Sequence, residues 1–222
     1  MSPLALITGA ARPNSIAAGI VPRLVSDGWA VATSDLADAD YPCDLSSADA
    51  PQILVESVAR DMGPISALIL SHAHDIATGI LETTADSFDR HVAVNARASL
   101  LLIAAFARQV APEGGAVVAL TSDATTGNLP YGASKGALDR IVISAARELG
   151  PLGISANAVN PGPIDTGWMN DDVRRAVLAD QPQGRLGEPA DIADVVAFLV
   201  SRPGRWVSGQ LLKVDGGFSA SF

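Results

Sequence analysis

The sequence predicts an α/β fold, a doubly wound and predominantly parallel sheet of six to seven strands with helices on both faces. Three observations predict it. Short aliphatic runs alternate with longer amphipathic ones, the short runs are continuously apolar as in strands covered on both sides, and glycine or proline punctuates the junctions. The candidate strands are residues 4–8, 30–34, 67–71, 116–121, 154–159 and 210–214. Between them lie helical patterns. Residues 16–27 end at Gly28, a C-cap signal, and Ser46 opens a helix to about residue 60 that Met62-Gly63-Pro64 stops. Residues 86–111 follow Thr83-Thr84 as the longest helix, residues 131–149 follow Pro130, and Pro189 opens a helix to Ser201. A further helix over residues 171–180 has the place of a lid, with Trp168 and Met169 expected to face a pocket.

Composition narrows the class. At 222 residues, with no linker, repeat or low-complexity tract, one domain over 1–222 is expected. With 48% hydrophobic residues the chain can build a core, and a net charge of -9 opposes binding to a phosphate backbone. The longest apolar run, residues 100–107, is far short of the roughly 18–20 residues of a membrane span. Met1-Ser2-Pro3-Leu4 has no basic n-region or cleavage site, and the single Cys43 can form no internal disulfide. A soluble cytoplasmic protein is expected, with a small molecule as partner and neither nucleic acid nor membrane.

In doubly wound sheets ligands bind beyond the carboxyl ends of the strands. After the first candidate strand comes Thr8-Gly9-Ala10-Ala11-Arg12-Pro13-Asn14-Ser15-Ile16, small residues that let backbone amides approach a pyrophosphate at a helix N-terminus. The strict G-x-G-x-x-G is absent, so an ordinary strand-to-helix turn is the competing reading. Asp35 ends the second strand, where its oxygens suit ribose hydroxyls and repel a 2'-phosphate, which favours NAD over NADP. Arg12 points the other way, because a cation in the first loop can pair with that phosphate. Asp44, beside Leu45, has the place to accept from an adenine amino group. Too few residues separate Asp35 from this point for a helical crossover, so the helix there is missing or vestigial.

Ser71 and His72-Ala73-His74-Asp75 follow the 67–71 strand, a segment expected beside the cofactor through its backbone and Ser71. The two histidines invite a metal, but no further ligand is spaced to complete a site. Ser122 ends the strand 116–121, and Tyr131 follows nine residues later with Lys135 four beyond it. On a helix these two share a face, and an ammonium near a phenol lowers its pKa toward the range for proton exchange with an alcohol. With two Tyr and two Lys in the chain, such a pair arises by chance about one time in fifty. Asn95 lies mid-helix among apolar neighbours and needs partners if buried. Asn160-Pro161-Gly162-Pro163-Ile164-Asp165-Thr166 is a stiff loop in which Gly162 permits close approach, and the Ile164 and Thr166 amides can hold a carboxamide.

Taken in order, Thr8-Gly9, Asp35, Asp44-Leu45, Val94-Asn95, Ser122, Tyr131-x-x-x-Lys135 and Asn160-Pro161-Gly162 resemble the short-chain dehydrogenase/reductase family, and Gly184-Arg185-Leu186-Gly187-Glu188-Pro189 and Val214-Asp215-Gly216-Gly217 extend the resemblance. It implies an NAD(P)-dependent oxidoreductase with an Asn95-Ser122-Tyr131-Lys135 tetrad. In that tetrad Ser122 holds the substrate oxygen, Tyr131 is the general acid or base, Lys135 lowers the tyrosine pKa and binds the nicotinamide ribose, and Asn95 anchors a water. It also implies a homodimer or homotetramer through the helices 86–111 and 131–149. The Ser15-Ile16-Ala17 turn is similar to that of bacterial enoyl reductases, but those space Tyr and Lys more widely, which favours a secondary alcohol or ketone as substrate. The family's Asn-Asn-Ala-Gly is replaced by Leu70-Ser71-His72-Ala73, and the stretch after Asp35 and the loop from Ser122 to Tyr131 are short. Competing readings are a dinucleotide sensor without turnover and a lyase of the halohydrin dehalogenase type, which Lys135 and Asp35 oppose.

Overall fold

The computed structural model describes residues 2–220; Met1, Ser221 and Phe222, which the expected 1–222 domain includes, lie outside the described residues. Seven parallel strands form one sheet in the order β3-β2-β1-β4-β5-β6-β7. They are β1 (Leu4–Thr8), β2 (Ala30–Asp35), β3 (Tyr41–Pro42), β4 (Ala67–Leu70), β5 (Gly115–Leu120), β6 (Ile154–Asn160) and β7 (Leu211–Lys213). The order turns back at β1, which pairs β2 on one side and β4 on the other, and that reversal opens a crevice at the strand ends.

Strand alternation divides the core. On β1, Leu4 and Leu6 pack toward α2 (Ala50–Met62), α4 (Ala98–Gln109) and α5 (Leu129–Glu148), while Ala5 and Ile7 pack toward α1 (Ile16–Ser26) and α7 (Pro189–Val200). Gly19 lets the second pair of helices touch, because a Cβ there would sit 2.8 Å from Pro189. No helix among the described residues is long and apolar enough to cross a membrane.

The missing crossover helix is found as expected: β2 passes to β3 through five residues with no helix between them. Two helices differ from expectation. α2 begins at Ala50 rather than Ser46, because Asp44 accepts from the Ser46 amide through its side chain (2.9 Å) and from the Ser47 amide through its carbonyl (3.1 Å), holding residues 44–47 in a turn. Pro51, without an N–H, then fits only the first helical turn. The expected single helix over 86–111 is α3 (Ala85–His91), a π-helical segment (Val92–Arg97) and α4. Within it the Ala98 amide bonds Ala93 O, five residues back, and this insertion buries Asn95 completely. α5 starts at Leu129, with Pro130 in its first turn and Tyr131 following. The last helix before α7 is α6 (Asp171–Asp180), where it was expected.

Candidate active site

Register brings the strand ends into line. Thr8 stands opposite both Ser34 and Leu70, Leu70 opposite Ala119, and Leu120 opposite Val159. The residues just beyond them, Gly9, Asp35, Ser71, Thr121 and Ser122, therefore share one edge.

At the β1 end Gly9 has φ +75°, and a Cβ there would lie 2.6 Å from the His72 amide nitrogen, so the first turn closes against the chain leaving β4 only with glycine. Ser15 caps α1 by accepting from the Ala18 amide (3.1 Å), while the Ile16 and Ala17 amides, first in the helix, have no carbonyl four residues back to bond. Asp35 accepts from the Ala11 amide (2.9 Å) and the Leu36 amide (2.8 Å), tying the first loop to the β2 end with both carboxylate oxygens engaged. Arg12 is exposed and makes no ion pair among the described residues. Asp44 is held in its turn, with its carboxyl below the usual range because of Ser46. The Leu45 side chain is buried in the core beneath α2.

Ser122, Tyr131 and Lys135 come together at the β5 end. Lys135 is 2% exposed, and its Nζ donates to Leu120 O (2.7 Å) and lies 5.6 Å from the centroid of the Tyr131 ring. Burial pulls the lysine down to about 8, against the charges of Asp139 and Asp75. The net shift of the Tyr131 phenol is upward. Burial pushes the phenol up to about 12, Asp75 adds to the rise, and the hydrogen bond with Ser122 opposes it.

Asn95 is fully buried. Its side chain is engaged by protein: Oδ1 accepts from the His74 amide (2.7 Å), and Nδ2 donates to His74 O (2.9 Å) and Ser134 Oγ (2.8 Å). Ser134 passes the link on by donating to Tyr131 O (2.7 Å). Asn95 thus clamps the loop after β4 to the helix that carries Tyr131.

The loop after β6 and the segment beyond it divide into parts with different partners. The Ile164 and Thr166 amides donate within their own loop, to Gly162 O (3.1 Å) and Ile164 O (3.0 Å), because prolines at 161 and 163 force consecutive tight turns. Gly162 has φ +62° and its missing side chain makes room for Asp215 rather than for a ligand. Pro161 and Pro163 line a cavity of about 260 Å³ with Gln181, Arg185 and Lys213. Trp168 is exposed and donates to Ile164 O (3.2 Å) while Met169 is buried, so the two do not face one pocket together. Arg174 is bound to Asp165 through both nitrogens (2.5 and 3.2 Å) and offers no free cation.

His72 and His74 do not converge. His72 Nδ1 meets Thr8 Oγ1 (2.6 Å) and Nε2 meets Val94 O (3.1 Å), whereas the His74 ring packs 4.5 Å from that of His91. Four further residues contribute. His91 is fully buried and its Nε2 accepts from the Ile76 amide (3.1 Å), Asn128 donates to Asp75 (2.7 Å), Ser134 joins the Asn95 clamp, and Asp139 accepts from Thr121 (2.5 Å). Only the helical spacing of Lys135 and Asp139 could have signalled one of them.

A family profile described as enoyl-(acyl carrier protein) reductase matches residues 9–219. Among curated proteins, the uncharacterized oxidoreductase YjdA of Bacillus subtilis is 36% identical, covering 97% of this chain and 96% of its own, and the (3R)-3-hydroxyacyl-CoA dehydrogenase of Mus musculus is 31% identical with the same coverage. Among solved structures, a blue fluorescent protein from a metagenomic library in complex with NADPH has TM-score 0.90 at 32% identity, covering 98% of both chains. A short-chain dehydrogenase/reductase from Serratia marcescens also has TM-score 0.90, at 30% identity and the same coverage.

Proposed function

The chain belongs to the short-chain dehydrogenase/reductase family and is an oxidoreductase of that family, and from this premise we propose that it interconverts a secondary alcohol and a ketone with a nicotinamide dinucleotide as hydride carrier. The observation that carries the reading is the meeting of Ser122, Tyr131 and buried Lys135 at the strand edge that also holds Gly9 and Asp35.

The donor set fits a dinucleotide. The side-chain-free turn at Gly9 and the open Ile16 and Ala17 amides suit a pyrophosphate, Asp35 suits ribose hydroxyls, and Ser71 and Lys135 would serve the nicotinamide end. A bound nicotinamide supplies or accepts the hydride. The protein moves the proton. A Tyr131 phenol held near 12 is protonated at neutral pH, so it is loaded to give its proton to a ketone oxygen that Ser122 holds by a hydrogen bond. Alcohol oxidation asks the same group to take a proton as phenolate, the form that its burial disfavours. Lys135, its Nζ 5.6 Å from the centroid of the ring, is placed to oppose that cost.

For the cofactor we favour NAD(H), because the Asp35 carboxylate stands where a 2'-phosphate would meet its charge. NADP(H) is the second reading, supported by the exposed, unpaired Arg12 and by the NADPH bound to the metagenomic relative. A homo-oligomer is also proposed: Leu100 on α4, Ile143 on α5 and Phe198 on α7 are exposed apolar side chains on long helices. Gel filtration at the monomer mass would refute it.

The test is a panel of ketones and secondary alcohols assayed with both cofactors by nicotinamide absorbance and fluorescence. Turnover with NADH above NADPH is expected. Binding without turnover on any substrate would leave a sensor, and no binding of either cofactor would end both readings.

A further inference from the structure

Lys135 is held in the charged form by something, since an ammonium with three donors is 2% exposed and has one protein acceptor, Leu120 O at 2.7 Å. The structure assigns that task to Asp139. It lies one turn after Lys135 on α5, half-buried, on the same helix face. Its Oδ1 accepts from the hydroxyl of Thr121 at 2.5 Å, and the same hydroxyl oxygen is 3.4 Å from Lys135 O. Thr121 is 3% exposed, is fixed to β6 by the hydrogen bond that its amide donates to Val159 O (2.8 Å), and directly precedes Ser122.

We propose that Asp139 is a positioning residue: it locks the strand end that carries Ser122 to the helix that carries Tyr131 and Lys135, and its carboxylate supplies the counter-charge that keeps Lys135 an ammonium. The groups facing Lys135 are Tyr131 and Asp139 on α5 and His72 and Asp75 on the segment after β4. Asp139 itself faces Arg140 and Asp123 besides Lys135. Burial pulls the lysine down, and Asp139 is the larger of the two charges that pull it back up. Burial pushes Asp139 upward, and the Thr121 hydrogen bond and the lysine hold it toward the ionised form. The consequence for turnover rests on the oxidoreductase reading above; the charge relation does not.

The chain contains only Lys135 and Lys213, so protein labelled with ¹³C/¹⁵N-lysine gives two side-chain signals that titrate separately by NMR. Lys213, 3.8 Å from Asp123 and half-exposed, is the internal reference. Asp139→Asn keeps an acceptor for Thr121 and removes the charge. Its Lys135 midpoint is expected to fall by about one pH unit while Lys213 stays, and Asp139→Glu is expected to restore most of the fall. Should Asp139→Asn not fold, as judged by circular dichroism, Asp139→Ser retains a hydroxyl partner for Thr121 and carries the same expectation. In turnover, the alkaline limb is expected to move down by the same amount, which lost packing alone would not produce. A Lys135 midpoint equal to that of the wild type would overturn the proposal even where turnover fell. Absence of turnover in the wild type would count against the oxidoreductase reading and leave the NMR result to judge Asp139.

Discussion

The Thr8 hydroxyl stands 2.6 Å from Nδ1 of His72, joining the end of β1 to the segment after β4 beneath the first loop. Nε2 is 3.1 Å from Val94 O, a carbonyl that can only accept, so Nε2 carries the proton and Nδ1 accepts from Thr8. The ring is neutral and enclosed, and burial pulls its pKa down to about 3.

That arrangement makes stability depend on acid. An unfolded histidine takes a proton near 6.5 and the folded one does not, so stability is fully present above about 6.5 and is lost as pH falls toward 3. The full shift corresponds to about 5 kcal/mol as an upper bound. Urea midpoints measured from pH 7 to pH 4 are expected to fall more steeply for the wild type than for His72→Asn, whose amide does not titrate. Parallel curves would remove His72 from the acid response.

Asn95→Ala is expected to cost about 2–4 kcal/mol, since it leaves the His74 amide and carbonyl and the Ser134 hydroxyl without their shared buried partner. For a chain of this length that is a fall in Tm of roughly 5–15 °C by calorimetry. Turnover should fall further than stability accounts for at assay temperature, because the clamp sets the loop after β4 against Tyr131.

Asp35→Ser is expected to raise the ratio of kcat/KM for NADPH to that for NADH by about tenfold or more, equivalent to roughly 1.4 kcal/mol. Absolute rates should fall with both cofactors, because the carboxylate also holds the Ala11 and Leu36 amides. An unchanged ratio would remove Asp35 from cofactor selection.

Asp75→Asn should lower the Tyr131 pKa, because removing a negative charge favours phenolate. The chain has two tyrosines, so tyrosinate absorbance of the variant, with Tyr131→Phe subtracted, isolates the group. The expected result is an earlier ionisation and an alcohol-oxidation limb shifted to lower pH. A midpoint equal to or above the wild type would contradict it.

How much of this was legible in the sequence depended on the range of the interactions. Apolar runs such as Ala67–Leu70, and the pair Tyr131 and Lys135 at helical spacing, are local, and the structure has them where the pattern placed them. The missing crossover after Asp35 was likewise a matter of counting residues. The π segment was not legible, because it accompanies Asn95 meeting His74, 21 residues away, and Ser134, 39 away. The partner of His72, Thr8, lies 64 residues earlier and was not legible for the same reason. Leu45 misled in a different way: beside Asp44 it read as part of a binding motif, but an apolar side chain there goes into the core under α2. The direction of the Tyr131 shift depends on burial, which helical spacing does not report.

The central claim is that Tyr131 protonates a ketone as hydride reaches its carbon, and isotope transfer tests it most directly. The protein is incubated with a ketone and reduced nicotinamide dinucleotide deuterated at C4, of each stereochemistry and in both NADH and NADPH forms, and the alcohol is analysed by mass spectrometry. The account expects deuterium on the carbinol carbon from one face of the cofactor, with Tyr131→Phe still binding the dinucleotide but slowed by about 10²–10⁴-fold. Labelled alcohol formed at the wild-type rate by Tyr131→Phe, or no labelled alcohol from any ketone that the protein binds, would contradict it.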